Sequence, residues 1–153
     1  MKKYLLLLAI LPLMGWAQPK DLYWEDMVPE DYQLPEQPVA HEGSNNMVQM
    51  NLDAPVVQAL DGQEVRIPGF VVPLEGDEDT LTEFLLVPYF GACIHVPPPP
   101  PNQIVHVKFA DGAPVDNLFD AVWITGKLST QGWTGDIATV GYTMQGIKVE
   151  PYE

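Results

Sequence analysis

A second cysteine is missing from the 153 residues, so no disulfide can form within the chain. Cys93 is therefore a buried small hydrophobe, a free thiol, half of an intermolecular bridge, or a metal ligand. Without a Cys-x-x-Cys pair, thioredoxin-type exchange is excluded. Positive charge is also scarce: seven Lys and Arg stand against 21 Asp and Glu, for a net charge of −14. Such a surface repels nucleic acid and anionic lipid, and attracts cations and basic protein faces. Beyond the first 17 residues no run is long and apolar enough to span a bilayer as a helix. No His-Glu-x-x-His helix, phosphate-cradling glycine loop or Ser-His-Asp spacing is visible.

What is present begins with a leader. Residues 1–17 combine Lys2 and Lys3, an apolar run over 5–14, and the small-residue exit Gly15-Trp16-Ala17. That succession predicts a cleavable secretory signal and a periplasmic protein. Losing the two leader lysines takes the net charge from −14 to near −16. No cysteine stands near the cleavage site, which argues against a lipid anchor. Residues 18–53 then read as an extended acidic arm, with Pro29, Pro35 and Pro38 and no clean periodicity. Trp24, Met27, Tyr32 and Leu34 are its candidate anchors. Residues 54–153 read as one β-domain with a modest core.

Within that domain Asp61-Gly62 predicts a hairpin between strands at 56–60 and 65–74. Residues 84–90, FLLVPYF, are apolar on both faces and predict a buried strand. From 103 to 109, Val105, Val107 and Phe109 share one face, and Ile104, His106 and Lys108 the other. Asp111-Gly112 predicts a turn, and a last strand over 139–149 is expected to break near Gly146. Val65-x-Ile67-x-Gly69 is echoed by Val122-x-Ile124-x-Gly126, and glycine centred in an alternating strand marks a sharp bend. Five or six strands, little helix and two glycine-bent strands predict an all-β fold, a small OB-like closed barrel. A β-sandwich is the alternative.

The candidate chemistry gathers in residues 90–103, FGACIHVPPPPPNQ. Pro97, Pro98, Pro99, Pro100 and Pro101 forbid α-helix and predict a stiff polyproline II rod with its carbonyls toward solvent or a partner. The rod either braces the loop or offers a docking face to a partner. Cys93 and His95, two residues apart, offer sulfur and nitrogen to zinc or copper. A closed site needs more ligands, and His106 is next in line; His41 and Glu42 could join only if the arm docks. Against this stand a structural Cys93 and a solvated His106. Met27, Met47, Met50 and Met144 are soft donors on paper but read as filler. A thiol-dependent enzyme is the remaining class.

The succession IPGFVVPLE at 67–75, EFLLVPYFGACIHVPPPPPNQ at 83–103 and VWITGKL at 122–128 resembles a bacterial exported family, domain of unknown function 3299, over about 56–149. The resemblance implies a small periplasmic or lipid-anchored domain encoded beside ABC-transporter components and zinc-responsive genes. It brings no catalytic residues. The expectation is thus a non-enzymatic periplasmic accessory protein handling zinc or copper through Cys93, His95 and His106 alongside envelope transporter components. Its rival is an interaction module docking a transporter subunit through the proline loop.

Overall fold

The computed structural model describes residues 18–34, 48–77, 79–114 and 119–152. Residues 1–17, where the sequence predicts a signal, and His41, Glu42 and Met47 lie outside the described residues. The architecture is nearly all β. Five strands close a barrel: β2 (Glu64–Gly76), β3 (Thr80–Val87), β4 (Val105–Pro114), β8 (Tyr142–Pro151) and β5 (Val122–Ser129), in that spatial order, with β5 pairing back to β2. Neighbours run antiparallel except β4 and β8, which are parallel. A two-residue strand, β1 (Lys20–Asp21), adds in parallel to the start of β2. A small hairpin, β6 (Trp133–Thr134) with β7 (Thr139–Val140), lies apart from the sheet.

The glycine-bent strands close the barrel. β2 pairs with β5 from Glu64 to Gly69 and with β3 from Phe70 onward, so its partner changes at the glycine. A Cβ on Gly69 would stand 2.7 Å from the Val87 carbonyl oxygen, and one on Gly126 would stand 2.5 Å from that of Gln145. Only glycine allows those approaches. The expected break in the last strand is a bulge: β8 stays continuous, but Ile147 is the extra residue where Thr125 faces Lys148 and Gly126 faces Gly146.

Alternation divides the apolar residues between two cores. Val65, Ile67, Phe84, Leu86, Val105, Val107, Ile124, Leu128 and Tyr142 fill the barrel interior. Val72, Leu85, Val87, Ile104, Ala138 and Val140 form a second layer outside it. There the opposite faces of β2 and β3 meet Tyr89, Ala92 and Cys93 of the following loop and Trp133, Ala138 and Val140 of the β6–β7 hairpin. Residues 84–87 are therefore buried on both faces, as their composition predicts.

Three expectations are corrected. Residues 56–60 form no strand: Gln58–Leu60 is a 3-10 turn. The Asp61 carboxylate accepts hydrogen bonds from Thr130 N (2.8 Å) and Ser129 Oγ (3.1 Å), so this corner is tied to the end of β5. Asp111-Gly112 does not end a strand; β4 runs through it to Pro114, with Gly112 at φ +76°. The start of the arm is not a loose extension. Leu22 and Met27 are fully buried in the barrel core. Trp24 Nε1 donates to Pro68 O at 2.7 Å, and the Tyr142 hydroxyl donates to Met27 O at 2.8 Å.

Candidate functional site

The loop after β3 is knotted around one carbonyl. Pro88 cannot donate to a ladder, so the strand stops at Val87. Gly91 turns the chain at φ +83°. Its oxygen then accepts from Ile94 N (3.2 Å), His95 N (2.8 Å) and Val96 N (3.2 Å). This geometry holds Cys93 at φ +66°, which costs an L-residue about 1–2 kcal/mol. In return the Cys93 side chain packs on the second-layer core. Burial pushes its thiol up to about 11. At neutral pH it is a protonated thiol, a poor nucleophile and a poor ligand.

The prolines do not face outward. Pro98, Pro99, Pro100 and Pro101 are buried, and Pro97 is half-buried. The run is extended as predicted (Pro100 at φ −55°, ψ 152°), and Pro101 opens a 3-10 turn, Pro101–Gln103. Three of its five carbonyls accept hydrogen bonds from within the chain. Pro99 O accepts from Gln49 Nε2 (2.8 Å), Pro100 O from Gln103 N (2.8 Å), and Pro101 O from Gly141 N (2.7 Å). Gln49 also exchanges hydrogen bonds with both backbone groups of Thr139, which locks the run against β7. Asn102 Nδ2 donates to Pro55 O and Gln103 Nε2 to Trp24 O, each at 2.9 Å. Packed this way the run can brace the loop, and residues 98–101 are covered by the rest of the chain.

His106 is corrected too. The sequence places it on a solvated face of β4, yet only 1% of the residue is exposed. Its ring stacks on Trp133, centroids 4.0 Å apart and planes 17° from parallel. Nε2 donates to Glu83 Oε2 at 3.1 Å, and Lys108 Nζ donates to the other oxygen of that carboxylate. Burial lowers the imidazole's pKa despite the opposing pull of Glu83.

The expected metal set is therefore not assembled. His95 is exposed, Cys93 lies among aliphatic side chains, and His106 faces Trp133 and Glu83. Among the described residues no three of His, Cys, Asp or Glu come together to hold an ion. A zinc or copper centre does not fit these donors. Of the methionines, Met27 and Met144 are core residues and Met50 is exposed.

What the loop presents instead is apolar. Phe90 is 50% exposed and Ile94 53%. The Phe90 ring meets Phe70 edge-on at 5.9 Å and Phe119, itself 74% exposed, at 5.8 Å. This rim escaped the sequence reading, because FLLVPYF reads as one buried strand. The signal available was Pro88, which ends the strand and leaves Phe90 beyond it.

A family model described as protein of unknown function, DUF3299, matches residues 24–151. The chain belongs to the DUF3299 family. That match begins at Trp24, well before the 56–149 of the resemblance, so the docked turn with Met27 is part of the DUF3299 unit. A crystal structure of a DUF3299 family protein from Pseudomonas aeruginosa PAO1 has a TM-score of 0.79 at 44% identity, over 89% of this chain and 97% of that one. No curated protein matches the chain.

Proposed function

We propose that this chain is an exported, non-enzymatic interaction module of the cell envelope, docking a component of a transport system through the apolar rim of Phe90 and Ile94. The observation that carries the reading is their exposure on a loop fixed by three hydrogen bonds to the Gly91 carbonyl. Large apolar side chains held rigidly in solvent lose little entropy on docking, and burying each contributes about 1.5–3 kcal/mol. The Cys-His-proline motif serves as the brace behind that rim. A thiol-dependent reaction finds no support in a thiol pushed up to about 11.

The test is photo-crosslinking in the living bacterium. A benzophenone amino acid replaces Ile94, and a discrete envelope protein is expected to be captured. Co-purification of that protein should drop at least about tenfold with Phe90→Ser, as one lost apolar contact implies. The variant's melting temperature should stay close to that of the parent. Absence of any discrete crosslink would refute the reading.

A further inference from the structure

We infer that the outward wall formed by β2, β5 and β8 is a carbohydrate site that takes a neutral oligosaccharide; this goes beyond the docking reading above and does not rest on it. Two clefts open on that wall. One, of about 600 Å³, is lined by Asp21, Glu64, Arg66, Thr125, Lys148 and Glu150. The other, of about 790 Å³, continues it, because Glu64 and the exposed Ile147 line both. Each is of small-molecule size. Arg66 faces Thr125, which faces Lys148, across the three strands, so successive side chains of the row stand about 5 Å apart. Thr125, at its middle, is only 6% exposed. It lines the cleft, and among the described residues nothing hydrogen-bonds its hydroxyl. A hydroxyl so placed gains when a ligand brings it a partner.

The charges around Thr125 come in opposite pairs. The Asp21 carboxylate accepts two hydrogen bonds from Arg66, each at 2.9 Å, and Glu150 accepts one from Lys148 at 2.7 Å. Glu64 faces Lys127 across β2 and β5. A simple anion would meet the carboxylates of Asp21, Glu64 and Glu150, and a simple cation the heads of Arg66 and Lys148. The ligand that suits alternating signs is one whose every polar group both donates and accepts, as a hydroxyl does. The neighbouring row is aromatic. Trp123 lies two residues from Thr125 along β5, a step of about 7 Å. The Arg66 guanidinium sits 4.3 Å from the centre of its ring. Tyr23 and Tyr152 flank that ring at 5.9 and 5.2 Å, and are 41% and 49% exposed. Their rings offer flat apolar surface, with a polar tip, to the C–H face of a sugar. An extended peptide is served less well, since strand addition needs a free edge and β5 is paired on both, to β2 and β8.

Three neutral tetrasaccharides, of β-linked glucose, α-linked glucose and β-linked N-acetylglucosamine, are titrated calorimetrically into the whole chain. At least one should bind, with an affinity that changes less than about twofold between roughly 0.05 and 0.5 M salt. Thr125→Val, which keeps the shape and removes the hydroxyl, should weaken it about fivefold or more. Thr125→Ser, which keeps the hydroxyl, should restore it. Tyr152→Ala, at an exposed ring, should weaken binding about fivefold while the melting temperature stays near that of the parent. No binding of any of the three at millimolar concentration would overturn the inference. So would binding that Thr125→Val and Tyr152→Ala both leave unchanged, by placing the sugar elsewhere. Tighter binding of the peptide Lys-Glu-Lys-Glu, or of inorganic phosphate, than of every sugar would overturn it too, by showing that the wall reads charge. Crosslinking at Ile94 has no bearing on these outcomes, so the two readings fail separately.

Discussion

The imidazole of His106 lies flat against the indole of Trp133, and through that contact the β6–β7 hairpin is seated on the outside of the barrel. Burial holds the ring's pKa below the ordinary 6.5. The folded chain therefore keeps it neutral, whereas the unfolded chain takes up a proton near 6.5. Its contribution to stability is complete above that pH and declines as pH falls through it. Glu83, lowered first by the hydrogen bond from Lys108, acts in the same direction at lower pH, its stabilisation being lost as the carboxylate protonates. Thermal melts should be flat from about pH 8 to 7 and fall steadily from about pH 6.5 to 5. His106→Gln, which retains a donor toward Glu83, should flatten the upper part of that fall. A parent melting temperature constant down to about pH 5 would contradict the assignment.

Cys93 should be slow to react. With its thiol pushed up to about 11, only about one molecule in a thousand carries thiolate at pH 8. Iodoacetamide labelling followed by mass spectrometry should be slow at pH 8 and become fast when denaturant is added. Rapid labelling of the native chain would show a thiol more open than the second-layer packing allows.

The Tyr142 hydroxyl ties two distant segments together. It donates to Met27 O (2.8 Å) and accepts from Val57 N (2.7 Å), inside the core. Tyr142→Phe keeps the ring and strands both backbone groups, which should cost about 1–3 kcal/mol. Chemical denaturation would measure the loss. Limited proteolysis should cut near Met27 before it cuts the barrel. Unchanged stability would mean that water replaces the hydroxyl.

The barrel was legible where periodicity carries it. The matched Val-x-Ile-x-Gly runs at 65–69 and 122–126 name the strands that close it, and Val105, Val107 and Phe109 point inward as their alternation requires. The second layer was not legible. Whether the outward face of β4 meets water depends on Trp133, which reaches it from a hairpin far along the chain. In the same way nothing local to the prolines announces Gln49 or Gly141 as the partners of their carbonyls. Asp61-Gly62 has the letters of a hairpin turn, but the Asp61 carboxylate is engaged by Ser129 and Thr130. Cys93 and His95 are neighbours in sequence, yet the knot at Gly91 sends sulfur inward and leaves imidazole outside. Sequence adjacency thus does not bring the two side chains to one point.

Because β2 is shared between β3 and β5, a ribosome making this chain cannot finish the cylinder early. The half of β2 that carries Val65 and Ile67 has no antiparallel neighbour until residues 122–129 have emerged, and β5 in turn waits for β8. A nascent chain must keep those aliphatic side chains uncovered through most of its synthesis, which makes closure of the cylinder a late step.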